Sequence, residues 1–291
     1  MDRQLKSAYG ACARLTRREA KNFFYAFAAL PKYKRWGISA VYAFCRQADD
    51  IADGCEAKGE KRARLHELRV RLEEAAAGRP GTEFDVALSD TIRRFSVGVQ
   101  DLTDVLAGVE IDLTVSRYGS YDDLVGYCHL VASAVGLAII PILARRGEGS
   151  QVGLTMRRRA TAFGVGMQLV NVVRDVAEDI DRDRVYLPQE DLDRFAVTDD
   201  DLRRGKMHQG MRDLFALELR RAKSALAEGM KLVEDLPRSS RGCPAMLAAV
   251  YSGISNKIEK RNYDVFSKRV RLGAVEKIGM SVGAWARSAF G

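Results

Sequence analysis

The sequence predicts an all-α protein that folds as one domain. Its 291 residues include only six prolines, and the long stretches between them suit helices, because proline in a helix interior removes a hydrogen bond. Apolar residues recur at helical spacing, as in Leu65, Leu68 and Leu72, whereas alternating β-branched runs bounded by tight-turn signals are nearly absent. We predict roughly ten helices in a single domain over residues 1–291, with no internal linker.

The composition is that of a globular protein able to bury a large core, with 47% hydrophobic and 30% charged residues. The formal net charge of +8 suits a polyanionic ligand, a nucleic acid or an anionic membrane surface. The basic residues are spread along the chain and do not gather with aromatic residues, so we expect no nucleic-acid partner.

Five scattered cysteines form no Cys-x-x-Cys pair, which indicates reduced thiols and argues against a disulfide scaffold or a zinc ribbon. The N-terminal residues hold no apolar core of the kind found in signal peptides. Together these features predict a cytoplasmic protein. The longest apolar stretch, residues 130–144, contains Pro141 and is too short to span a bilayer, so we predict a buried helix there.

In chain order, turn signals near residues 78–81, 146–149 and 237–240 separate long segments with helical periodicity. Two of the predicted helices, residues 37–52 and 157–179, are apolar around most of their circumference, which is typical of buried helices. Each nevertheless carries acids toward its C-terminal end. A buried carboxylate needs a partner or a metal ion.

The first acidic motif is FCRQADDIADG, residues 44–54. Asp49 and Asp53 are four residues apart and share one helix face, where like charges repel by about 0.2–0.5 kcal/mol. In a site with little water this repulsion grows unless a cation lies between the two carboxylates. Arg46 precedes them and can neutralise charge on a phosphate ligand.

The second motif is a longer stripe of oxygen-bearing side chains. Gln168, Asn171, Asp175 and Asp179 fall within an arc of roughly 80° on one helix face, and Arg174 lies beside them. Oxygen ligands of this kind suit Mg²⁺, which takes one or two carboxylates from a protein and fills its other positions with water and phosphate oxygens. Two facing helices of this type predict a magnesium cluster that holds a diphosphate from both sides.

A single Asp-x-x-x-Asp motif is more often a solvated helix face than a metal site. Two copies, each at the end of an apolar helix, favour the metal site. The remaining acids of the second segment, Glu178, Asp181 and Asp183, are predicted to form a solvated end together with Arg182 and Arg184.

Six segments resemble the squalene and phytoene synthases in family order. They are KNFFYAFAALP (21–31), VYAFCRQADDIADG (41–54), GVEIDL (108–113), YCHLVASAVG (127–136), MQLVNVVRDVAEDIDRDRVYLP (167–188) and NYDVFSKRV (262–270). The resemblance covers nearly the whole chain. It implies an isoprenoid-synthase-type helical domain with a central cavity between the two acidic helices. It also implies an enzyme that joins two farnesyl or geranylgeranyl diphosphates head to head.

The resemblance also implies roles for individual residues. It gives two or three magnesium ions, held with the diphosphates, to Asp49, Asp53, Asn171, Asp175 and Asp179. It implies catalytic or substrate-binding roles for Arg46, Gln168, Arg174, Tyr251 and one of the basic pair Lys268 and Arg269. Tyr127 matches a tyrosine near the departing diphosphate, with a satisfied core tyrosine as the alternative. The expected cavity walls, each with ordinary helix packing as its alternative, are Phe23, Phe27, Ala132, Ala134, Gly136, Gly164 and Gly166.

Some positions depart from the family pattern. Ser133 replaces a usual glycine, and Ala20 and Asn22 stand where many members carry serines. The segment VASAVG resembles the bacterial branch that serves hopanoid synthesis, which favours conversion of two farnesyl diphosphates to presqualene diphosphate or squalene. The alternative is a phytoene synthase of carotenoid synthesis that uses two geranylgeranyl diphosphates. No Rossmann fingerprint is present, and use of NADPH stays open because presqualene diphosphate formation does not require it.

Three other interpretations stay open. An isoprenoid chain elongator or terpene cyclase typically carries Asp-Asp-x-x-Asp, a string that residues 49–53 contain, but the segments NVVRDVAED and YCHLVAS favour head-to-head coupling. A non-catalytic assembly factor of the same fold would show eroded acidic ligands, whereas all five are present.

Residues 272–290 carry apolar residues at helical spacing (Val275, Ile278, Val282, Trp285 and Ala286), for which packing onto the domain is preferred and peripheral membrane contact is the alternative.

Overall fold

The computed structural model describes residues 2–20, 24–28, 30–145, 152–273, 275–277, 279–280 and 283–284. Within these ranges every regular element is helical, and the nearest approach to a strand is an isolated bridge between Arg117 and Val185. The all-α fold class predicted from the sequence is confirmed.

Fourteen α-helices lie in the described part of the chain, more than the roughly ten predicted. They are α1 (Arg3–Glu19), α2 (Phe24–Ala28), α3 (Lys32–Asp53), α4 (Lys58–Ala76), α5 (Glu83–Phe95), α6 (Val99–Ile111), α7 (Tyr121–Cys128), α8 (Ala134–Ala144), α9 (Leu154–Ile180), α10 (Gln189–Arg194), α11 (Asp199–Arg204), α12 (Gln209–Met230), α13 (Leu232–Asp235) and α14 (Arg238–Lys260). A π-helical turn, His129–Ser133, joins α7 to α8. The helices α2, α10, α11 and α13 have six residues or fewer, too few to show an apolar period in the sequence.

The two helices that carry the acidic motifs, α3 and α9, are longer than predicted. The first begins directly after Pro31 and ends before Gly54, and the second runs for 27 residues. Proline suits the start of α3, because the first backbone N–H groups of a helix have no partner within it. Both helices are buried along most of their length, as their apolar circumference predicted.

Small residues let α9 approach its neighbours closely. A Cβ atom added at Gly166 would lie 2.6 Å from the backbone nitrogen of Leu226 on α12, and one at Gly164 would lie 2.6 Å from the Cα of Ser133. Ser133 itself is accommodated because its hydroxyl donates to the Thr161 carbonyl at 2.8 Å. Gly164 and Gly166 therefore serve helix packing, which was the stated alternative to a role as cavity walls.

The buried side chains form two large hydrophobic clusters. One is built around α3, α6 and α8, and the other around α9, α12 and α14. A cavity lies where the two clusters meet, because its walls include Leu143 from the first and Phe163 from the second. All five cysteines fall within the described residues as free thiols, and four of them are buried.

The central apolar helix is longer than the sequence stretch suggested. The helices α7 and α8 and the π turn between them form one helix, Tyr121–Ala144, which by length and composition could cross a membrane. The expectation that this stretch is too short is corrected, because the helix extends back to Tyr121. Its most apolar window is 56% buried inside the protein, and the helix packs against α6 and α9, as a core helix does.

Part of the C-terminal segment packs onto the domain. Leu272 and Ala284 are buried, and the Met280 side chain lies against Gly253 of α14, whereas Val275 is 85% exposed. The other positions of the predicted apolar face, Ile278, Val282, Trp285 and Ala286, lie outside the described residues. Membrane contact by this segment stays a prediction.

Candidate active site

The two acidic helices contribute to the walls of one cavity of about 260 Å³. Asp49 of the first motif and Asn171 of the second both line it, together with Gln168. Most other walls are apolar or aromatic: Phe27, Tyr42, Cys45, Val131, Ala132, Val135, Gly136, Ile139, Ile140, Leu143, Ala160, Phe163, Met167, Leu232, Cys243, Pro244, Leu247 and Tyr251. Polar oxygens thus gather in a cavity that is otherwise apolar.

On α3, Asp49 faces the cavity, and Asp53 lies one turn further along. Although the Asp49 carboxylate is open to the cavity, the protein around it removes much of its water, and this raises the pKa of Asp49 to about 6. The positive charge of Arg46 opposes this rise, and the negative charge of Asp53 adds to it. Arg46 forms an ion pair with Asp50, the acid that does not belong to the Asp-x-x-x-Asp spacing.

On α9, the predicted stripe of oxygen ligands is partly connected by hydrogen bonds. Asn171 donates through Nδ2 to Gln168 Oε1 at 3.0 Å. The Oδ1 atom of Asn171 is buried and has no hydrogen-bond partner within the described residues. Further along, burial and the neighbouring charge of Asp175 raise the pKa of Asp179 to about 7.

Two arginines surround Asp175. Arg174 forms a two-pronged ion pair with it, and Arg269 donates to its Oδ1 atom at 2.9 Å while also pairing with Glu178 at 2.6 Å. Lys268 is exposed, and its carbonyl accepts a hydrogen bond from Arg261. Of the basic pair left open by the sequence, Arg269 is therefore the residue that reaches the second acidic motif.

The prediction that residues 178–184 form a solvated end of the second segment is confirmed only in part. Asp181 and Arg182 are exposed, and the exposed Asp183 pairs with Arg203 at 2.7 Å. Glu178 and Arg184 differ from the prediction. Glu178 pairs with Arg269, as described above, and the half-buried Arg184 turns inward because its guanidinium donates to the Asp112 carbonyl at 2.9 Å.

The predicted aromatic site residues lie in different surroundings. Phe27 and Tyr251 are buried and line the cavity, and Phe23 lies outside the described residues. Tyr127 is buried, is not among the lining residues, and donates its hydroxyl to Asp112 Oδ2 at 3.3 Å. Asp112 lies in the GVEIDL segment that carries part of the family resemblance, but it was not singled out, because a lone acid at the end of a helix carries no spacing signal.

Of the small residues expected as cavity walls, Ala132 and Gly136 line the cavity. Ala134 is fully buried and is not among the lining residues. The lining positions of this helix recur every three to four residues from Val131 to Leu143, so Ala134 faces the surrounding core.

The donor set fits magnesium. Four carboxylates, Asp49, Asp53, Asp175 and Asp179, and the unpartnered oxygen of Asn171 supply hard oxygen ligands. Within the described residues no three His, Cys, Asp or Glu side chains converge into a complete metal cage. A site of this kind suits an ion that shares its coordination between one or two carboxylates and the phosphates of a substrate.

Comparison with known proteins identifies the family. The sequence profile described as squalene/phytoene synthase matches residues 16–276. The chain belongs to this family. It is 34% identical over 284 residues to the chloroplastic phytoene synthase of Narcissus pseudonarcissus, covering 98% of this chain and 67% of that protein. It is also 34% identical to the 15-cis-phytoene synthase of Synechocystis sp., covering 98% of this chain and 86% of that protein.

Solved structures agree with this assignment. A dehydrosqualene synthase in complex with a ligand superposes with a TM-score of 0.88 at 27% identity, covering 97% of both chains. The squalene synthase HpnC from Alicyclobacillus acidocaldarius superposes with a TM-score of 0.84 at 27% identity, covering 91% of this chain and 97% of that one.

These comparisons confirm the predicted family, the isoprenoid-synthase-type fold and the enzyme class. The protein is a prenyltransferase of the squalene/phytoene synthase type, which joins prenyl diphosphates head to head. The family typically uses Mg²⁺, in agreement with the oxygen ligands described above.

Proposed function

We propose that this enzyme joins two geranylgeranyl diphosphates and forms phytoene. The interpretation preferred from the sequence was coupling of two farnesyl diphosphates, with phytoene synthesis as its alternative. The relatives at 34% identity over nearly the whole chain are phytoene synthases, whereas the dehydrosqualene and squalene synthase structures reach 27%. The balance of similarity supports the alternative.

The observation that carries the reaction type is that Asp49 and Asn171, from two separate helices, line one largely apolar cavity. A prenyl diphosphate has a charged head and a long apolar tail. Its head fits the carboxylate of Asp49 and the amides of Gln168 and Asn171, and its tail fits the aliphatic and aromatic walls.

The reaction begins when the C–O bond of one substrate breaks and the electron pair leaves with the diphosphate. Magnesium ions held by Asp49, Asp53, Asn171, Asp175 and Asp179 supply Lewis-acid neutralisation of the diphosphate charge when bound. Arg174 and Arg269, which surround Asp175, add positive charge to the same region. Their guanidinium groups stabilise the departing anion more than the intact ester, and this difference accelerates ionisation.

The allylic cation that remains needs a dry cavity, because water would convert it to an alcohol. Phe27, Phe163 and Tyr251 line the cavity, and their ring faces can stabilise a positive charge. The double bond of the second substrate then attacks the cation, and a carbon–carbon bond forms. Loss of a proton closes a cyclopropane ring, and this intermediate keeps the diphosphate of the second substrate.

The second ionisation releases this remaining diphosphate, and the carbon skeleton rearranges to a linear chain. In phytoene formation the last cation loses a proton. No hydride is added, so we propose that the reaction proceeds without NADPH.

Product identification tests the proposal. Purified protein is incubated with Mg²⁺ and either farnesyl or geranylgeranyl diphosphate, with and without NADPH, and the lipids are identified by mass spectrometry. We expect phytoene from geranylgeranyl diphosphate in both reductant conditions. Presqualene diphosphate or squalene as the main product, with no phytoene, would overturn the C20 assignment. A third arm with isopentenyl diphosphate tests chain elongation, and a longer prenyl diphosphate there would contradict head-to-head coupling.

A further inference from the structure

Asp112 stands at the end of α6, where its carboxylate receives two tyrosine hydroxyls from different parts of the chain. Tyr127, on α7, donates to Oδ2 at 3.3 Å, and Tyr186, after α9, donates to Oδ1 at 3.2 Å. Each carboxylate oxygen thus accepts one phenol. The backbone of Asp112 is fixed as well, because its carbonyl accepts the hydrogen bond from Arg184.

The two phenol rings belong to a stack of three. The Tyr127 and Tyr186 centroids are 5.1 Å apart with an interplanar angle of 23°, and the Tyr118 centroid is 5.1 Å from that of Tyr127. The Tyr118 hydroxyl is buried and has no hydrogen-bond partner within the described residues. Asp112 therefore orients two hydroxyls of this stack, and the third provides a natural internal control.

Asp112 is buried and interacts with charged groups around it. Burial raises the pKa of Asp112, the Tyr127 hydrogen bond and the Arg184 charge oppose that rise, and the charge of Asp53 adds to it. Arg184 and Tyr186, which both bond to Asp112, line a small second cavity together with Asp179 of the second acidic motif. The Asp112–tyrosine group therefore adjoins the oxygen ligands where the diphosphates are expected.

Tyr127 is a neutral phenol in this arrangement. Burial and the negative charge of Asp112 raise the pKa of Tyr127 far above its usual range, so the hydroxyl keeps its proton. The Tyr127 hydroxyl thus donates to Asp112 and also interacts with the side chain of Tyr186.

We propose that Asp112 is a positioning residue for the condensation, which acts by holding the Tyr127 hydroxyl in one orientation beside Tyr186 and the second acidic motif. This inference rests on the proposed function, and it adds a residue that no metal or substrate motif identifies. The acceptor and the donor are in place before substrate arrives, because Asp112 directly follows α6 and Tyr127 lies on α7.

The test is a double-mutant cycle with Asp112→Asn and Tyr127→Phe. Asparagine keeps the shape of the side chain but removes its charge and one acceptor oxygen. We expect D112N to lower kcat roughly 10- to 100-fold, the range found when groups that orient catalytic ligands are lost. We expect KM for geranylgeranyl diphosphate to change much less, and the double variant to match Tyr127→Phe alone, because both changes remove one interaction. The proposal would be overturned if D112N had the kcat of the wild type. It would also be overturned if the fold-decrease in kcat of the double variant equalled the product of the two single decreases.

Tyr118→Phe is the matched control, since it removes a stacked hydroxyl that has no hydrogen-bond partner in the described structure. Its kcat should equal that of the wild type. The cycle is run with the diphosphate that the wild-type protein uses. A wild type that accepts only farnesyl diphosphate thus overturns the C20 assignment and leaves the Asp112 test intact.

A second measurement covers the case in which D112N does not fold. The wild-type protein is labelled with ¹³C at tyrosine Cζ, and Tyr127, Tyr186 and Tyr118 are assigned from single phenylalanine variants. The ¹³Cζ chemical shifts of Tyr127 and Tyr186 should differ from that of Tyr118, in the direction expected for phenols that donate a hydrogen bond to a carboxylate. Equal shifts for all three would reject the proposed hydrogen bonds.

Discussion

The Arg269 guanidinium donates to the Asp175 carboxylate at 2.9 Å and so joins the segment after the last long helix to the second acidic motif. Its second branch reaches Glu178 one turn further along α9. One arginine from a connecting segment thus fixes two acids of the helix that supplies most of the oxygen ligands. Positive charge is thus held beside the second acidic motif, where the diphosphate is expected.

Replacement of Arg269 by alanine should therefore weaken substrate binding. A hydrogen bond to a charged group contributes about 1.5–3 kcal/mol, so KM for the prenyl diphosphate should rise roughly tenfold or more. Lys268→Ala is the matched control. The Lys268 side chain is exposed, so its removal should change KM less than removal of Arg269. Steady-state kinetics with both variants decide the point, and a larger effect at Lys268 would contradict the structure.

Loss of a carboxylate from either acidic motif should abolish most of the activity. Asp49→Ala and Asp175→Ala each remove a proposed oxygen ligand from one acidic motif, and we expect kcat to fall by roughly 10³-fold, since metal ions supply several kcal/mol of charge stabilisation. Asp181→Ala, in the exposed end of the same segment, should retain activity. Normal turnover by Asp49→Ala and Asp175→Ala with Mg²⁺ would refute the assigned site.

Glu218 should make stability depend on pH. It is fully buried, contacts Arg221 at 2.5 Å, and burial raises its pKa to about 7. A pKa raised in the folded state means that the stability from this group is complete below about pH 4.5 and is lost as pH rises through 7. Glu218→Gln should therefore raise the free energy of unfolding at pH 8 relative to wild type, on the order of 1–3 kcal/mol.

The same experiment has a control on the same helix. Glu228 is exposed and pairs with Lys231, and the hydrogen bond from that lysine lowers its pKa. Its ionisation is complete well below pH 6, so Glu228→Gln should leave the change in stability between pH 6 and 8 as in wild type. Denaturant unfolding at both pH values provides the comparison, and an unchanged pH dependence in Glu218→Gln would reject the prediction.

The contact between α9 and α12 predicts an intolerance to one methyl group. Gly166→Ala places a Cβ 2.6 Å from a backbone atom of Leu226, which cannot move aside easily, and should destabilise the protein by roughly 1–3 kcal/mol. Gly59→Ala on α4 has open space around the new methyl group and should be neutral or stabilising, by about 0.4–1 kcal/mol. Thermal unfolding of the two variants tests the packing directly.

The C-terminal segment should contribute to stability more than to membrane binding. Removal of the residues after Arg271 deletes the contacts of Leu272, Met280 and Ala284 with the domain and should lower Tm. Co-sedimentation with anionic liposomes should be the same for the full chain and the truncated one. Stronger pelleting of the full chain would support the membrane alternative.

Much of the active site follows from the sequence because helix periodicity is local. Four-residue spacing fixes which face Asp49 and Asp53 share, and it places Gln168, Asn171 and Asp175 in one stripe before any tertiary contact is known. The apolar circumference of α3 and α9 also indicates their burial. The short helices escape detection, since a helix of six residues has no period to measure.

Other features depend on contacts between distant segments and cannot be obtained from spacing. The choice of Arg269 over Lys268 is set by the direction of an irregular connection after α14, where two adjacent side chains point to opposite sides. The inward turn of Arg184 and the role of Asp112 arise because the ends of α6 and α9 meet. The packing role of Gly164 depends on the π turn opposite it.

The division of the apolar interior into two clusters has a thermodynamic consequence. A prenyl chain in the cavity touches side chains of both clusters at once, and its burial adds contacts between them that the protein alone does not make. Because the ligand binds only the folded protein, it should stabilise both clusters together. Protection from proteolysis should therefore rise in parallel in α3, which belongs to the first cluster, and in α12, which belongs to the second. A bound prenyl chain thus packs as part of the hydrophobic core as well as serving as a reactant.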